Sequence, residues 1–474
     1  MHAIQQWQGC KECLNQRREI LSASAWDSLS SRGLSKHPAS IFDRYPTITV
    51  SNNELLNLAH LRAFKLVADT GSATRAAAEL FRAQSAVTRS VQELESALEE
   101  PLFERKPSGM LPTPTGRAVL KRCERIFAEI GELALWCALR QARRRVPAEG
   151  TLPAYLLNTR RLQIFRALAR HRHMPTAASA FGISQPAVSS AIRVLESGSG
   201  LRLFHRGPRG ILLTTEGETF LLYVGRALNE LRHIPDDIAA LHGNIQGAVT
   251  VGALPLGRTL ILPNAIARLS AQHPGVRVIT DESAYETLVA GLRAGDIDFI
   301  LGALRDNEPT SGLQNERLVT EDMVVLARRD HPLANVRGLT MADLRQVQWI
   351  VPRIHAPARG LFESQFRRLK LKPPMPTVET ADLAVIRGLL LHTDMVTALS
   401  AQQLHYECES GQLVVLDVPL HNTQRDIGLT VRAEGTPSPA ARALIDAIRL
   451  SVGALKRPGF RAPVASNEGA TSLT

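Results

Sequence analysis

Residues 184–196 read SQPAVSSAIRVLE, and residues 83–95, 101 positions earlier, read AQSAVTRSVQELE. In the later stretch Val188, Ile192 and Leu195 are spaced as one face of a helix, and Gln185, Ser189, Ser190 and Arg193 fall on the other. Such a helix packs through its apolar face and shows solvent small hydroxyls, an amide and a guanidinium. Ser184 is a favourable N-cap, and Pro186 fits the first helical turn, where a missing N–H costs little.

The flanking sequence completes a pattern. A helix is expected over residues 159–170, with Leu162, Phe165 and Leu168 as its apolar stripe. In the short helix that follows, Ala177 and Ala178 let a neighbour approach closely, and Gly182 can take the left-handed conformation that turns the chain. Helix, tight turn and polar-faced helix is the plan of a helix-turn-helix, whose second helix fits the DNA major groove, about 12 Å wide. After it, LFHRGPRGILLTTEG (203–217) reads as a β-hairpin with Gly207-Pro208-Arg209-Gly210 at its tip. Residues 61–116 align with 162–217 without a gap, and 19 of 56 positions are identical, so the unit is duplicated. Gln pairs with adenine and Arg with guanine, whereas Ser and Thr reach bases or phosphates. The candidate DNA contacts are therefore Gln185, Pro186, Ser189, Ser190 and Arg193 in the second unit, and Gln84, Ser85, Thr88 and Arg89 in the first. Arg206 and Arg209, with Arg105 in the first unit, stand on the hairpins, where backbone phosphate or the minor groove is met.

These residues resemble the LysR-type transcriptional regulators. The second unit matches that family's pattern at Phe165, Ala177-Ala178, SQPAVS (184–189), Leu195-Glu196, LFHR (203–206), Arg209 and TTEG (214–217). The first matches at Phe64, Gly71-Ser72, TRAA (74–77), Gln84, AVT (86–88), Leu94-Glu95, LFER (102–105) and TPTG (113–116). Both units depart from the pattern. Ala83 replaces the capping serine, a loss of about 1 kcal/mol, Arg82 stands where the second unit has Ile183, and Glu99 replaces the family glycine. The second unit has Ser199 for a leucine, Gly198 near a helix end, and His171-Arg172-His173 in place of the Gly-Ser turn. Each unit runs into a further helix with an apolar stripe, Ile126, Phe127, Ile130, Leu133 and Cys137 in one and Leu221, Val224, Leu228 and Leu231 in the other. In the family this linker helix pairs with its counterpart in a dimer. The resemblance thus implies double-stranded DNA as a partner, and either a homo-oligomer or an intrachain pseudo-dimer.

Charge agrees with that division. The net charge of +11 is concentrated early: residues 58–150 hold 15 Lys/Arg against 11 Asp/Glu, and 159–245 hold 11 against 6, whereas 246–456 hold 22 of each. A basic region beside a neutral one suggests a polyanion-binding part joined to a part with another task. The expected organisation is a loose leader (1–52), a winged helix-turn-helix (56–113) with linker helix (114–145), a second one (157–214) with its linker helix (215–242), an α/β domain (247–452) and a disordered tail (457–474). The fold class is multidomain, α plus α/β. The five cysteines are too sparse for a disulfide framework, and Cys10-Lys-Glu-Cys13 has no second ligand pair nearby for a metal. No stretch has the apolar length of a membrane span, and no apolar signal-peptide run opens the sequence, so a cytoplasmic protein with no membrane partner is expected.

From about residue 247 strand-like and helix-like segments alternate, as in a parallel α/β architecture: AVTVGAL (248–254), VRVIT (276–280), DFILGAL (298–304), MVVLA (323–327), WIV (349–351), MVTAL (395–399) and a return strand IGLTVR (427–432). Two βαβ lobes resemble the family's effector domain, which has a periplasmic-binding-protein fold and whose sugar- and aromatic-acid-sensing branch is the most similar. Ligands in such folds sit at strand C-termini, near helix N-termini that favour anions. That places Pro255, Gly257, Arg258, Thr259, Leu304 and Arg305 of the first lobe, and Arg353 and Thr380 of the second, around an anionic or sugar-like effector. A solute-binding protein with a vestigial N-terminus is the alternative, but it leaves two basic helix-turn-helix units unexplained. No GxGxxG, GxxxxGK[ST], HExxH or GxSxG is present, so no catalytic residue, metal or cofactor is assigned and no enzyme is expected. Asp296-Ile297-Asp298 is read as a turn cap, and His171-Arg172-His173 as exposed charge on the DNA side.

Overall fold

In the computed structural model, which describes residues 56–107, 109–141, 152–207, 210–305, 312–354 and 356–455, the repeated stretch builds the same arrangement twice. The first copy has helices α1 (Leu58–Thr70), α2 (Ala73–Leu80) and α3 (Gln84–Leu98), then an antiparallel hairpin of β1 (Phe103–Lys106) and β2 (Gly109–Pro112) leading into α4 (Pro114–Arg140). The second has α5 (Thr159–His171), α6 (Met174–Ala180), α7 (Gln185–Ser199), the hairpin β3 (Phe204–Gly207) and β4 (Gly210–Leu213), and α8 (Thr215–Arg232). Pro235 then opens a separate helix, α9 (Ile234–Leu241). The leader, the Cys10–Cys13 pair, the basic run 143–145, Arg209 and the tail lie outside the described residues.

The motif residues explain themselves locally. Glu95 Oε1 accepts the amides of Leu102 (2.8 Å) and Phe103 (3.3 Å), and Glu196 Oε1 accepts those of Leu203 (2.9 Å) and Phe204 (3.4 Å), so the Leu-Glu pair pins each hairpin to its helix. Thr113 and Thr214 cap α4 and α8 by accepting the amides of Gly116 and Gly217, each at 2.9 Å. Phe64 stacks on Phe103 and Phe165 on Phe204, at centroid distances of 5.1 and 5.4 Å. Even the missing Gly-Ser turn is accommodated: Arg172 takes the left-handed conformation (φ 52°) that Gly71 takes in the first copy, and both carbonyls accept an amide from their hairpin. Gly198 is required because the Tyr155 ring lies where its Cβ would project, 2.3 Å away.

The remainder is two five-stranded sheets. One has the order β6-β5-β7-β14-β8, from β5 (Gly247–Ala253), β6 (Val276–Asp281), β7 (Phe299–Ala303), β8 (Leu313–Glu321) and β14 (Arg425–Arg432). The other has the order β11-β10-β12-β9-β13, from β9 (Val324–Arg328), β10 (Trp349–Val351), β11 (Val378–Glu379), β12 (Val396–Leu399) and β13 (Leu413–Val415). In each, one strand, β14 or β9, runs antiparallel to the other four. The chain crosses between lobes after β8 and returns before β14. Val251, Phe299, Leu301, Leu429 and Ile448 fill the first core; Trp349, Phe362 and Phe366 centre the second. β8 escaped the sequence reading because its run LQNERLVTE is mostly polar, with Glu316 and Arg317 breaking the alternation.

Among the described residues five other than glycine hold a positive φ, and Phe81 is one of them. Phe81 closes α2 in the left-handed conformation (φ 52°, ψ 45°) with its side chain 96% exposed, where the second copy has Gly182 at φ 60°. Left-handed backbone costs a residue with a Cβ about 1–2 kcal/mol, and glycine returns about 0.5–1 kcal/mol of that as unfolded-chain entropy. Phe81→Gly is thus expected to stabilise the protein by about 0.5–1 kcal/mol. Thermal denaturation would show a raised Tm; an unchanged or lowered one contradicts the strain.

Candidate nucleic-acid interface and ligand cleft

Each third helix buries one face and bares the other. Val87, Val91 and Leu94 of α3 and Val188, Ile192 and Leu195 of α7 are buried. Gln84, Ser85 and Arg89, and Gln185, Pro186, Ser190 and Arg193, are exposed, with Thr88 and Ser189 half-buried. The two faces are not equivalent electrostatically. Arg89 Nε donates to Glu93 Oε1 at 2.8 Å, whereas Arg193 has no carboxylate partner among the described residues. Arg105 and Arg206 hold matching places on β1 and β3, paired in register with Met110 and Ile211.

The expectation for Ser184 needs correction. It stands at the N-cap of α7 but makes no side-chain cap bond, nor does Ala83 before α3. Pro186 removes one of the amides that such a cap would use, and the next, Ala187 N–H, already donates to Ser184 O at 3.0 Å. The exposed Ser184 hydroxyl joins the polar face of α7 instead.

On the α/β side, a four-residue helix, α10 (Pro255–Arg258), follows β5 and packs against the 3-10 turn Ala401–Leu404 of the other lobe. Gly257 is buried against Leu301, and Arg258 has no carboxylate partner among the described residues. Leu304 donates its amide to Asp426 O at 2.8 Å, and Arg305 lies over the Tyr285 ring at 3.8 Å while pairing with Glu286 at 3.2 Å. Arg353 and Thr380 follow the neighbouring parallel strands β10 and β11 of the second lobe; Arg353 is exposed, and Thr380 donates its amide to Val351 O.

Sequence reasoning missed the polar group at the lobe crossing. Glu321, at the end of β8, is buried and accepts from the Ser400 hydroxyl. Burial pushes its carboxyl above the ordinary range, against the pull of Ser400 and of Arg425. Glu321 Oε1, Gln402 Oε1 and Thr259 Oγ1 are buried with no hydrogen-bond partner among the described residues. A buried polar atom left unmatched costs about 1–3 kcal/mol, so three near the Glu321–Ser400 contact make the junction between the lobes unusually polar. Only Thr259 could be found from sequence, because Glu321 and Ser400 meet across 79 residues. Asp298 exceeds a turn cap: its carboxylate accepts the Thr250 amide at 2.8 Å, while Asp296 pairs with Arg166 of α5.

Among the described residues no cluster of His, Cys, Asp and Glu is arranged to hold a metal ion, and no helix is long and apolar enough to cross a membrane.

Comparison with known proteins gives two family matches. The LysR substrate binding domain matches residues 242–452, and the bacterial regulatory helix-turn-helix protein, lysR family, matches twice, at 58–117 and 159–218. The HTH-type transcriptional regulator GalR of Pseudomonas putida is 48% identical over 396 residues, covering 84% of this chain and 97% of that one. Residues 151–474 are too few to hold a match of 396, so the similarity runs into the first helical unit. The HTH-type transcriptional regulator PcaQ of Agrobacterium fabrum is 33% identical over 300 residues, 62% of this chain and 95% of that one. The solved structure of CbnR, a LysR family transcriptional regulator, is 21% identical, covers 62% of this chain and 99% of its own, and superposes with a TM-score of 0.45.

Proposed function

The chain belongs to the LysR family of DNA-binding transcriptional regulators, and from that premise we propose that both of its helical units are winged helix-turn-helix readers of one promoter, governed by an anionic or polyhydroxyl effector bound between the α/β lobes. The observation that carries the reading is the repeated exposed face: an amide (Gln84, Gln185) and a hydroxyl (Thr88, Ser189) at the same places on α3 and α7, with a guanidinium on each helix at a different place, Arg89 and Arg193, and each helix beside a hairpin bearing an arginine. Gln185 reads a base edge, Arg206 grips phosphate, and Ser184 adds a hydroxyl to the same face. The protein works in the cytoplasm, where its promoter is, and it performs no catalysis.

The two contact types separate experimentally. Arg206→Ala is expected to weaken binding to all sequences alike and to lower the slope of log affinity against log salt by roughly one unit. Gln185→Ala instead relaxes discrimination at one base position, worth about 1–3 kcal/mol. Loss of specificity in both variants, measured by fluorescence anisotropy on matched and mismatched duplexes, would reject the assignment.

The effector reading rests on the oxygens of Thr259, Glu321 and Gln402 that are unmatched among the described residues, and on the guanidinium groups of Arg258 and Arg353 at the strand ends, which have no carboxylate partner among the described residues. Thermal shift of the whole protein against carboxylates, hydroxy acids and neutral sugars tests it. The anionic or hydroxyl-bearing compounds should raise Tm, and Arg353→Ala should weaken that rise. Purely apolar hits that survive the substitution count against it.

A further inference from the structure

Offset by 101 positions, each residue of the first unit has an equivalent in the second, and several equivalents meet. The Leu58 amide donates to Thr159 Oγ1 at 3.0 Å, and these two residues are 101 apart. Contact between equivalent positions is what a local two-fold axis produces. On one side of that axis His242 pairs with Glu100 at 2.7 Å. On the other, Gln141, the equivalent of His242, packs on Gly200, the neighbour of Glu100's equivalent. Between them α4 and α8 run antiparallel: Arg122 meets Glu230, and Glu129 meets Arg226 at 3.6 Å. Ile126, Phe127, Ile130 and Leu133 of α4 and Val224, Leu228 and Leu231 of α8 are buried, and the two helices pack on each other. On α8 no large apolar side chain is exposed among the described residues.

We infer that a single chain is a complete reading module, pairing its two linker helices internally so that one polypeptide presents two readers to two unlike half-sites. This rests on the proposed DNA-reading role of both units. The symmetry is not exact. The equivalent of the Arg226–Glu129 pair, Arg125 with Glu230, does not form; Arg125 donates to Glu434 O, and Glu230 pairs with Arg122 and Arg432. One α/β half thus sits on two readers, and it leans on the second: Arg226 Nε donates to Arg293 O at 2.6 Å, and Gly225 lies so close to Ala294 O that a Cβ would stand 2.7 Å from it. The readers differ as well, Gln84, Ser85, Thr88 and Arg89 against Gln185, Ser189, Ser190 and Arg193, which suits an asymmetric operator.

Two measurements on the full chain test this. The first needs no DNA. Glu100→Cys and His242→Cys are made in a chain whose Cys10 and Cys13 are serine. The remaining thiols, Cys123, Cys137 and Cys408, are buried, and burial raises all three, Cys137 to about 12 and Cys408 to about 11, which keeps them unreactive. A short bismaleimide should link the two new cysteines within one chain. A link joining two chains, or none, overturns the inference. The second uses the operator recovered by selection from random DNA. Chains carrying Gln84→Ala and Arg89→Ala are mixed with chains carrying Gln185→Ala and Arg193→Ala; all four side chains are exposed, so folding is spared. Internal pairing leaves every chain with one blunted reader, and the mixture should bind no better than either variant alone, roughly tenfold or more below wild type. Recovery on mixing, or wild-type binding by the first variant alone, contradicts it. If the wild-type chain binds no DNA while the internal link forms, it is the DNA-reading proposal that fails.

Discussion

Arg122→Ala should destabilise the protein by about 3–5 kcal/mol, the usual cost of leaving a buried charge network without its cation. Arg122 is 1% exposed. It meets Asp237 through two bonds of 2.6 and 3.1 Å, pairs with Glu230, and donates to Thr436 O at 3.0 Å. Burial alone would lower its pKa, but Asp237 and Glu230 outweigh that and hold it above its ordinary value. Truncation leaves Glu230, itself 3% exposed, beside Asp237. Denaturant unfolding measures the loss. Arg122→Met combined with Glu230→Met and Asp237→Asn should recover only part of it, because Arg432 then loses Glu230 in turn. The network spans α4, α8, α9 and the α/β half, so the single variant should also weaken the coupling between effector and DNA. A loss below about 1 kcal/mol, the range of an exposed pair, would contradict this assignment.

Gly217→Val should abolish specific DNA binding by the second unit. A Cβ there would stand 2.1 Å from Leu203 O, a backbone atom that cannot swing aside. Its equivalent, Gly116, faces the same obstacle, 2.2 Å from Leu102 O. Each glycine lets the linker helix start directly against the hairpin strand that the threonine cap and the Leu-Glu pair already fix. Overpacking costs about 1–3 kcal/mol when side chains can give way, and occasionally more; here the backbone itself must move. The hairpin should separate from its helix, carrying Arg206 out of place. Gly182→Ala is the contrast, because a Cβ there meets nothing within 4 Å and only the φ of 60° is strained. Anisotropy on the selected operator should show the Gly217 variant reduced to non-specific binding. Near-wild-type affinity would mean that the close approach is not needed.

Much of this was legible in the sequence because the informative signals are local. The 101-residue repeat, the helix faces and the capping threonines depend on neighbours a few positions apart. What the sequence concealed depends on distant partners. Ser184 reads as a cap until Ala187's amide is seen to be taken. Arg122 reads as one of several arginines on a helix, and its carboxylates lie 108 and 115 residues away. Glu321 gives no local sign that Ser400 will meet it at the lobe crossing. Among the departures from the family pattern, Gly198 has a structural reason in Tyr155, which no neighbouring residue in the sequence announces.

The most direct measurement is selection of bound sequences from random double-stranded DNA by the purified chain. Two readers held about one internal two-fold axis predict one enriched site of two unlike half-sites, separated by about one helical turn, 34–36 Å. Blunting α7 through Gln185→Ala and Arg193→Ala should erase one half-site, and blunting α3 through Gln84→Ala and Arg89→Ala should erase the other. A symmetric palindrome untouched by the α3 substitutions, or no enrichment at all, would contradict the account.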